Sequence, residues 1–176
     1  MSVLQTTFQD AKDSFYLALR DRLAAVNPDR TTVVRGAQRP AVLVAENEQE
    51  RGGGSGLQGA SGDVRDAFVL HWGSVAADTS EAMPLEHATC EIRFATAGSA
   101  ELAGMDRGRA LAAMRGELGS MLLPAQAMKT SYAGEAPVAA LTPVFWSDVT
   151  EEKRIETAGR VQCAVTVVVF AWKEGL

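Results

Sequence analysis

The stretch RVQCAVTVVVFAWK, residues 160–173, decides the fold of this chain. A β-strand points successive side chains to opposite faces, so its odd and even positions form two separate surfaces. The even positions begin polar and end with three large apolar side chains, Val168, Phe170 and Trp172. The odd positions are apolar throughout and mostly β-branched, which is typical of a face buried under helices; they are Val161, Cys163, Val165, Val167, Val169 and Ala171. We therefore predict a core strand whose second face is wet at one end and needs a cover at the other.

This strand is unusually long for a sheet of ordinary size. About 14 residues at ~3.3 Å each span roughly 46 Å, whereas the mean strand has ~5–6 residues. We therefore expect its far end to extend beyond its own sheet and to meet another molecule.

The composition is that of an ordinary globular protein. Its 176 residues, 47% hydrophobic and 22% charged, favour one domain spanning 1–176. The net charge of −5 argues against a protein that grips a phosphate backbone. The first residues, MSVLQTTFQDAKD, show neither a basic nor an apolar leader region, and no window has the ~18 apolar residues of a membrane span. We expect synthesis in the cytoplasm and no membrane partner.

Two amphipathic helices are predicted. The first begins at a capping box formed by Thr6 and Gln9 and ends at Asn27-Pro28. The second begins at Asp106 and ends before Pro124, with an apolar stripe comprising Leu111, Met114, Leu118, Met121 and Leu122. Beside it lies a stripe of small residues spaced four apart: Gly108, Ala112, Gly116 and Ser120. This small-residue stripe indicates a close backbone approach, either to the sheet of the same chain or to a helix of another subunit.

The remaining segments predict a mostly antiparallel sheet. Predicted strands cover 33–34, 41–45, 67–75, 86–96, 138–146 and the final stretch, with 138–146 broken by Pro143 and with loops at 124–137 and 147–159. Residues 46–66 hold six of the 16 glycines and form a flexible insertion. The fold class is therefore α+β, with the order α-β-β-β-β-α-β-β, a long C-terminal strand and both helices on one face.

Catalytic signatures are not found in the sequence. The G-x-G-x-x-G match at 54–59 does not lie between a strand and a helix, as a dinucleotide site requires. His71 and His87 fall on separate strands, and Cys90 and Cys163 fall on dry faces, where burial raises a thiol pKa. We predict no catalytic residues, no cofactor and no metal site, and hence no enzyme.

The order of elements resembles that of the tail-terminator, or tail-completion, proteins of long-tailed bacteriophages. An N-terminal helix, a long connection, the helix DRGRALAAMRGELGSMLL and the strand GRVQCAVTVVVFAW carry this resemblance from Thr6 to Trp172. It implies a structural protein of the virion that forms a hexameric ring at the head-proximal end of the tail tube. The ring would end tail polymerisation and join the tail to the neck.

The resemblance also implies the partners. They are further copies of this chain, the tail tube protein and the head–tail connector or neck protein, while DNA passes the lumen without specific binding. The interface residues would be Val168, Phe170 and Trp172 on the last strand and Gly108, Ala112, Gly116 and Ser120 on the second helix. The alternatives are another neck or head–tail connector ring, a structural dimer, and a small-molecule-binding domain or enzyme with its pocket between helix and sheet near His71, His87 and Glu91.

Overall fold

The computed structural model describes residues 7–45, 66–157 and 160–174. The helices are α1 (Phe8–Val26) and α2 (Arg107–Met121). The strands are β1 (Thr31–Val34), β2 (Ala37–Pro40), β3 (Val42–Val44), β4 (Phe68–Trp72), β5 (Ala76–Asp78), β6 (Leu85–Thr96), β7 (Gln126–Ser131), β8 (Val138–Trp146), β9 (Glu151–Thr157) and β10 (Arg160–Trp172). The α+β class is confirmed. The Gly-rich insertion predicted at 46–66 lies outside the described residues except for Asp66.

Strands β6 and β10 form the centre of the main sheet. They pair antiparallel along almost their whole length, from Val161 opposite Thr96 to Trp172 opposite Leu85. The prediction that the last strand extends beyond its own sheet is therefore wrong. The reason is that β6 has 12 residues and matches β10 in length.

Shorter strands flank this central pair on both sides. β4 and β5 pair with β6, while β8 and β9 pair with β10. β3 lies parallel to β4 at one edge, and β7 lies antiparallel to β8 at the other. The predicted mostly antiparallel sheet is thus confirmed.

Three of the strands lie where the sequence predicts loops. β7 lies within 124–137, β9 within 147–159, and β5 between two predicted strands. Their polar or small side chains give a weak alternating pattern, and the strand conformation depends on pairing with a longer neighbour. Pro143 does not break β8, because it lies next to a register shift where the regular ladder is already interrupted.

Both helices pack on one face of the sheet around a shared core. The buried positions of α1 and the predicted apolar stripe of α2 belong to one cluster with the odd positions of β10. Phe15 makes edge contacts with Trp72 and Trp146 at 5.7 and 4.9 Å between ring centroids. The capping box lies one residue later than predicted, with the Thr7 N–H donating to Asp10 Oδ2 at 2.8 Å. Neither described helix is long and apolar enough to cross a membrane.

Strands β1 and β2 form a hairpin separate from the main sheet. The predicted strand at 33–34 is the end of β1, and β2 was not predicted. A two-residue turn joins them, with φ of 49° at Arg35 and 78° at Gly36. Positive φ at both positions is the geometry of the tight turns that match strand twist. We call residues 31–40 the β1–β2 hairpin.

Two arginines connect the helices. Arg22 on α1 donates to the carbonyls of Met121 and Pro124 at 2.9 and 2.6 Å, which satisfies acceptors at the end of α2. Arg30 forms a two-point ion pair with Glu117 on α2, with Nη2 at 2.9 Å from Oε1. Because both side chains of this pair are mostly buried, it fixes α2 against the chain that follows α1.

Candidate functional site

The face of the sheet opposite the helices carries aromatic side chains at one end. The registers place Ala76, His87, Phe170 and Phe145 side by side across four strands. Phe145 and Phe170 stack at 5.3 Å with an interplanar angle of 10°, and the His87 ring lies 5.9 Å from Phe170. The three rings are half-buried, and Ala76 is exposed.

A second row lies beside the first. Leu85 is opposite Trp172 on one side and Asp78 on the other. Pro143 and Met128 face each other on β8 and β7, and Met128 is 69% exposed. We use the name aromatic patch for six half-buried side chains of these rows and the adjacent position 168; its members are Leu85, His87, Phe145, Val168, Phe170 and Trp172. The three residues predicted on the even face of the last strand therefore lie together with apolar neighbours that sequence reasoning missed.

The other end of the same face is charged. Glu91 pairs with Arg93 on β6, and Lys153 lies 3.0 Å from Glu151 on β9. The change from polar to apolar along this face follows the prediction from the even positions of the last strand. Among the described residues, both helices lie on the opposite face, so the aromatic patch has no helix over it.

The end of β10 is anchored by a buried ion pair. Lys129 on β7 is fully buried, and its Nζ lies 2.8 Å from Glu174 Oε1 and 2.6 Å from the Trp172 carbonyl oxygen. Glu174 also accepts hydrogen bonds from the hydroxyl and the N–H of Thr142. Burial raises the pKa of Glu174, but the hydrogen bonds from Lys129 and Thr142 outweigh it, so the net shift is downward. The pair holds Trp172 in position at the edge of the aromatic patch.

This anchor was not predicted, because 124–137 was interpreted as a loop. In the structure, Ala127, Lys129 and Ser131 form the more buried parity of β7. The sequence QAMKTS does not show this, because two of the three residues on that parity are polar. Glu174, the partner of Lys129, lies just after the end of β10 and could not be identified from sequence spacing.

The small-residue stripe of α2 is exposed. A Cβ added at Gly108 or Gly116 meets no described atom within 4 Å. The alternative that the stripe packs closely on the sheet of its own chain is therefore wrong, since neither glycine touches that sheet. Contact with another subunit stays a prediction.

A groove of about 560 Å³ lies between α2 and β9. Its floor includes Cys163 and Leu111, and an ion pair between Arg115 and Glu152, 2.6 Å apart, lies at its wall. Burial is the largest cause that raises the pKa of the Cys163 thiol. This keeps Cys163 in its unreactive, protonated form.

The histidines do not lie in a pocket between helix and sheet. His71 is opposite Glu91, and both lie with His87 on the face away from the helices. The pocket predicted near these three residues is therefore misplaced. In the ranges 7–45, 66–157 and 160–174, no three His, Cys, Asp or Glu residues are grouped so as to hold a metal ion. The glycine motif at 54–59 lies outside the described residues.

Comparisons with known proteins assign no family. No family model matches the sequence, and no curated protein matches it. The chain is similar to a chain in a solved structure of the virion of a native gene transfer agent (GTA) particle, with a TM-score of 0.37 and 16% identity. The likeness covers 93% of this chain and 94% of the other. At this TM-score and identity it assigns neither a fold family nor a function.

Proposed function

We propose that this chain is a structural protein of a phage-type virion that assembles as a ring at the head-proximal end of a tail tube. Each subunit is one domain of residues 1–176, and six subunits close the ring, end tail polymerisation and join the tail to the neck or connector. Subunits are made in the host cytoplasm and reside in the virion tail or neck. The protein is not an enzyme and uses no cofactor.

The aromatic patch is the observation that carries this proposal. Contiguous exposed or half-exposed apolar side chains on a folded surface mark sites of protein association. The patch is flanked by Met128 at 69% and Leu141 at 85% exposure, which extends the apolar surface toward the β7 edge. A surface of this kind is suited to contact with another protein.

The net charge of −5 is consistent with a ring that surrounds a channel for DNA. Phosphates repel an acidic wall, so DNA passes through such a lumen without specific binding. The exposed small-residue stripe of α2 offers a second surface for a neighbouring subunit, because small side chains permit a close approach. The interface residues proposed on this basis are Val168, Phe170 and Trp172 with Gly108, Ala112, Gly116 and Ser120.

Native mass spectrometry across a concentration series, with negative-stain images of the same samples, tests this function. We expect a species of six copies and a ring with a central hole. Addition of the purified tail tube protein of the same particle is expected to give tubes capped at one end. A monomer at every concentration that also leaves tubes uncapped would contradict the proposal.

Two other functions have specific support. A different neck or head–tail connector ring would use the same apolar surface but would bind the connector and leave tube ends free. A small-molecule-binding domain is favoured by the groove between α2 and β9, whose volume suits a small ligand. A screen of metabolites and metal ions by melting temperature distinguishes it, since a ligand that binds the folded state raises the melting temperature.

A further inference from the structure

We propose that the β1–β2 hairpin of one copy docks on the aromatic patch of the next copy. This inference rests on the proposed ring function and names the contact that would close the ring. Its basis is the placement, the exposed apolar surface and the opposite charge of these two parts of the chain.

The hairpin lacks the support that strands of the main sheet have. It pairs with no other described strand, and on the rest of the described fold it contacts α1. Val33 is 69% exposed, and Ala37, Gln38 and Arg39 are exposed as well. Isolated two-stranded hairpins are marginally stable in water, so contact with a partner surface would lower their free energy.

The hairpin and the aromatic patch lie at opposite ends of the molecule. The base of the hairpin is next to Phe68, whose N–H donates to Ala41 O at 2.8 Å, and Phe68 is opposite Phe94. The patch surrounds His87, seven residues away on β6, or roughly 23 Å at ~3.3 Å per residue. The hairpin also contacts α1, on the other face of the sheet. Because both distance and face separate them, the hairpin base and the patch of one chain do not meet.

A hairpin at one end of the molecule and a patch at the other are suited to a head-to-tail contact between copies. When a projection at one end of a subunit fits a surface at the other end of the next, the subunits form a closed ring if the rotation closes. A symmetric dimer would instead use the contact twice, with each hairpin on the patch of the other copy, and the number of copies in native mass spectrometry distinguishes it from a ring. The second copy is therefore the occupant that this placement favours.

The two surfaces have opposite charge. The charged residues of the hairpin are Arg35 and Arg39, both exposed. The segment 76–85, which borders the aromatic patch, holds Asp78 and Glu81 and no basic residue. Glu86 is opposite Ala171 and lies on the other face of the sheet. Asp78 lies in the patch row beside Leu85, and Lys173 is the basic side chain next to Trp172. Val33 would cover the aromatic rings while Arg35, in the turn, meets the acidic border. Arg39 is opposite Thr32 and lies on the other face of the hairpin, where it adds to the net charge of this element.

Paired charge reversals test the contact. Arg35→Glu/Arg39→Glu makes the hairpin acidic, and Asp78→Lys/Glu81→Lys makes the border basic. Each variant alone would place like charges together, and we expect the concentration for half-assembly to rise at least about tenfold. A 1:1 mixture restores opposite charges at every contact. We expect it to form rings in which the two variants alternate, identified by their masses in native mass spectrometry.

The control is Arg20→Glu/Lys153→Glu, which changes the net charge by the same amount as the hairpin variant, at two ion pairs away from the hairpin, the aromatic patch and the small-residue stripe. We expect its rings to match those of the unmodified chain. Circular dichroism of each variant establishes that it is folded, and the mixture provides a readout that misfolded subunits would not give.

The outcomes separate this inference from the proposed function. Rings of the unmodified chain that persist in both reversal variants would overturn the hairpin contact and leave the ring function intact. Failure of the mixture to assemble, while the control assembles, would also overturn it. An unmodified chain that caps tubes but never self-associates would overturn the hairpin contact alone, and a chain that does neither would contradict both.

Discussion

Lys129 is a charged side chain with no exposed surface, and the Glu174 carboxylate neutralises its charge inside the fold. Replacing it by methionine leaves Glu174 buried without its cation. We expect Lys129→Met to lower the free energy of unfolding by about 3–5 kcal/mol, the usual effect of breaking a buried pair. Urea unfolding followed by circular dichroism measures the change.

The double variant Lys129→Met/Glu174→Gln provides the matched comparison. The amide oxygen still accepts from Thr142, and neither charge of the pair remains, so we expect the double variant to recover at least half of the loss. Lys153→Met removes an exposed partner of Glu151 and is expected to change little. Equal losses in the single and double variants would contradict the assigned pairing.

The Glu174 carboxylate also makes the stability of the fold depend on pH. The folded pKa of Glu174 is below its ordinary value of 4.5, so its contribution is present above that value and is lost as pH falls through the folded pKa. Glu117, whose pKa burial raises but the hydrogen bonds from Arg30 and Asn27 lower overall, acts in the same direction. Glu174→Gln should therefore flatten the decline in melting temperature below about pH 5. An unchanged slope would show that this carboxylate is not paired in solution.

At the scale of elements, a substitution at Gly116 separates two properties of α2, because it is expected to stabilise the helix and to weaken any contact that the helix makes with another subunit. An added Cβ meets no described atom there, and alanine favours a helix by about 1 kcal/mol over glycine. We expect Gly116→Ala to raise the stability of the monomer by about that amount. If the small-residue stripe contacts a neighbour, the same change should weaken ring assembly.

Thermal unfolding of dilute samples measures the stability of the monomer, and native mass spectrometry of concentrated samples measures ring assembly. Assembly as strong as in the unmodified chain would remove the small-residue stripe from the interface. A less stable monomer would show that the Cβ meets an obstacle.

The long strands and both helices could be predicted because their apolar residues recur at a regular spacing, every second residue in the strands and every third or fourth residue in the helices. In β10 the odd positions are apolar throughout, and in α2 the stripe from Leu111 to Leu122 repeats at helical spacing. β9 was missed because Glu151–Arg154 carries only charges, and its strand conformation depends on β10. The aromatic patch was half predicted: Phe170 follows from parity, whereas Phe145 joins it only through the pairing of β8 with β10.

The buried ion pair shows a second limit of sequence reasoning. Lys129 and Glu174 are 45 residues apart, and they meet because β8 lies between β7 and the end of β10. A lysine is rarely buried fully, so composition alone favours an exposed position. Register and strand order decide its place, and neither can be read from one sequence.

At the scale of the whole molecule, Trp172 tests whether the open face of the sheet holds subunits together. Trp172→Asp introduces a charge into the aromatic patch, and a desolvated charge without a partner disfavours association. We expect a folded, soluble monomer that forms no ring in native mass spectrometry. Met105→Asp, at a position 84% exposed outside the patch, should assemble normally. Normal rings from Trp172→Asp would exclude the patch from the interface.

The pairing of β6 with β10 also has a consequence for synthesis on the ribosome. β6 ends at Thr96, and its long partner begins at Arg160, about 60 residues later. At ~5–20 residues per second, translation leaves one edge of β6 without this partner for about 3 to 12 seconds. An unpaired strand edge is a template for association with other chains. Nascent copies on one polysome are therefore exposed to mispairing during this interval, and slower translation of 97–160 should increase the aggregated fraction.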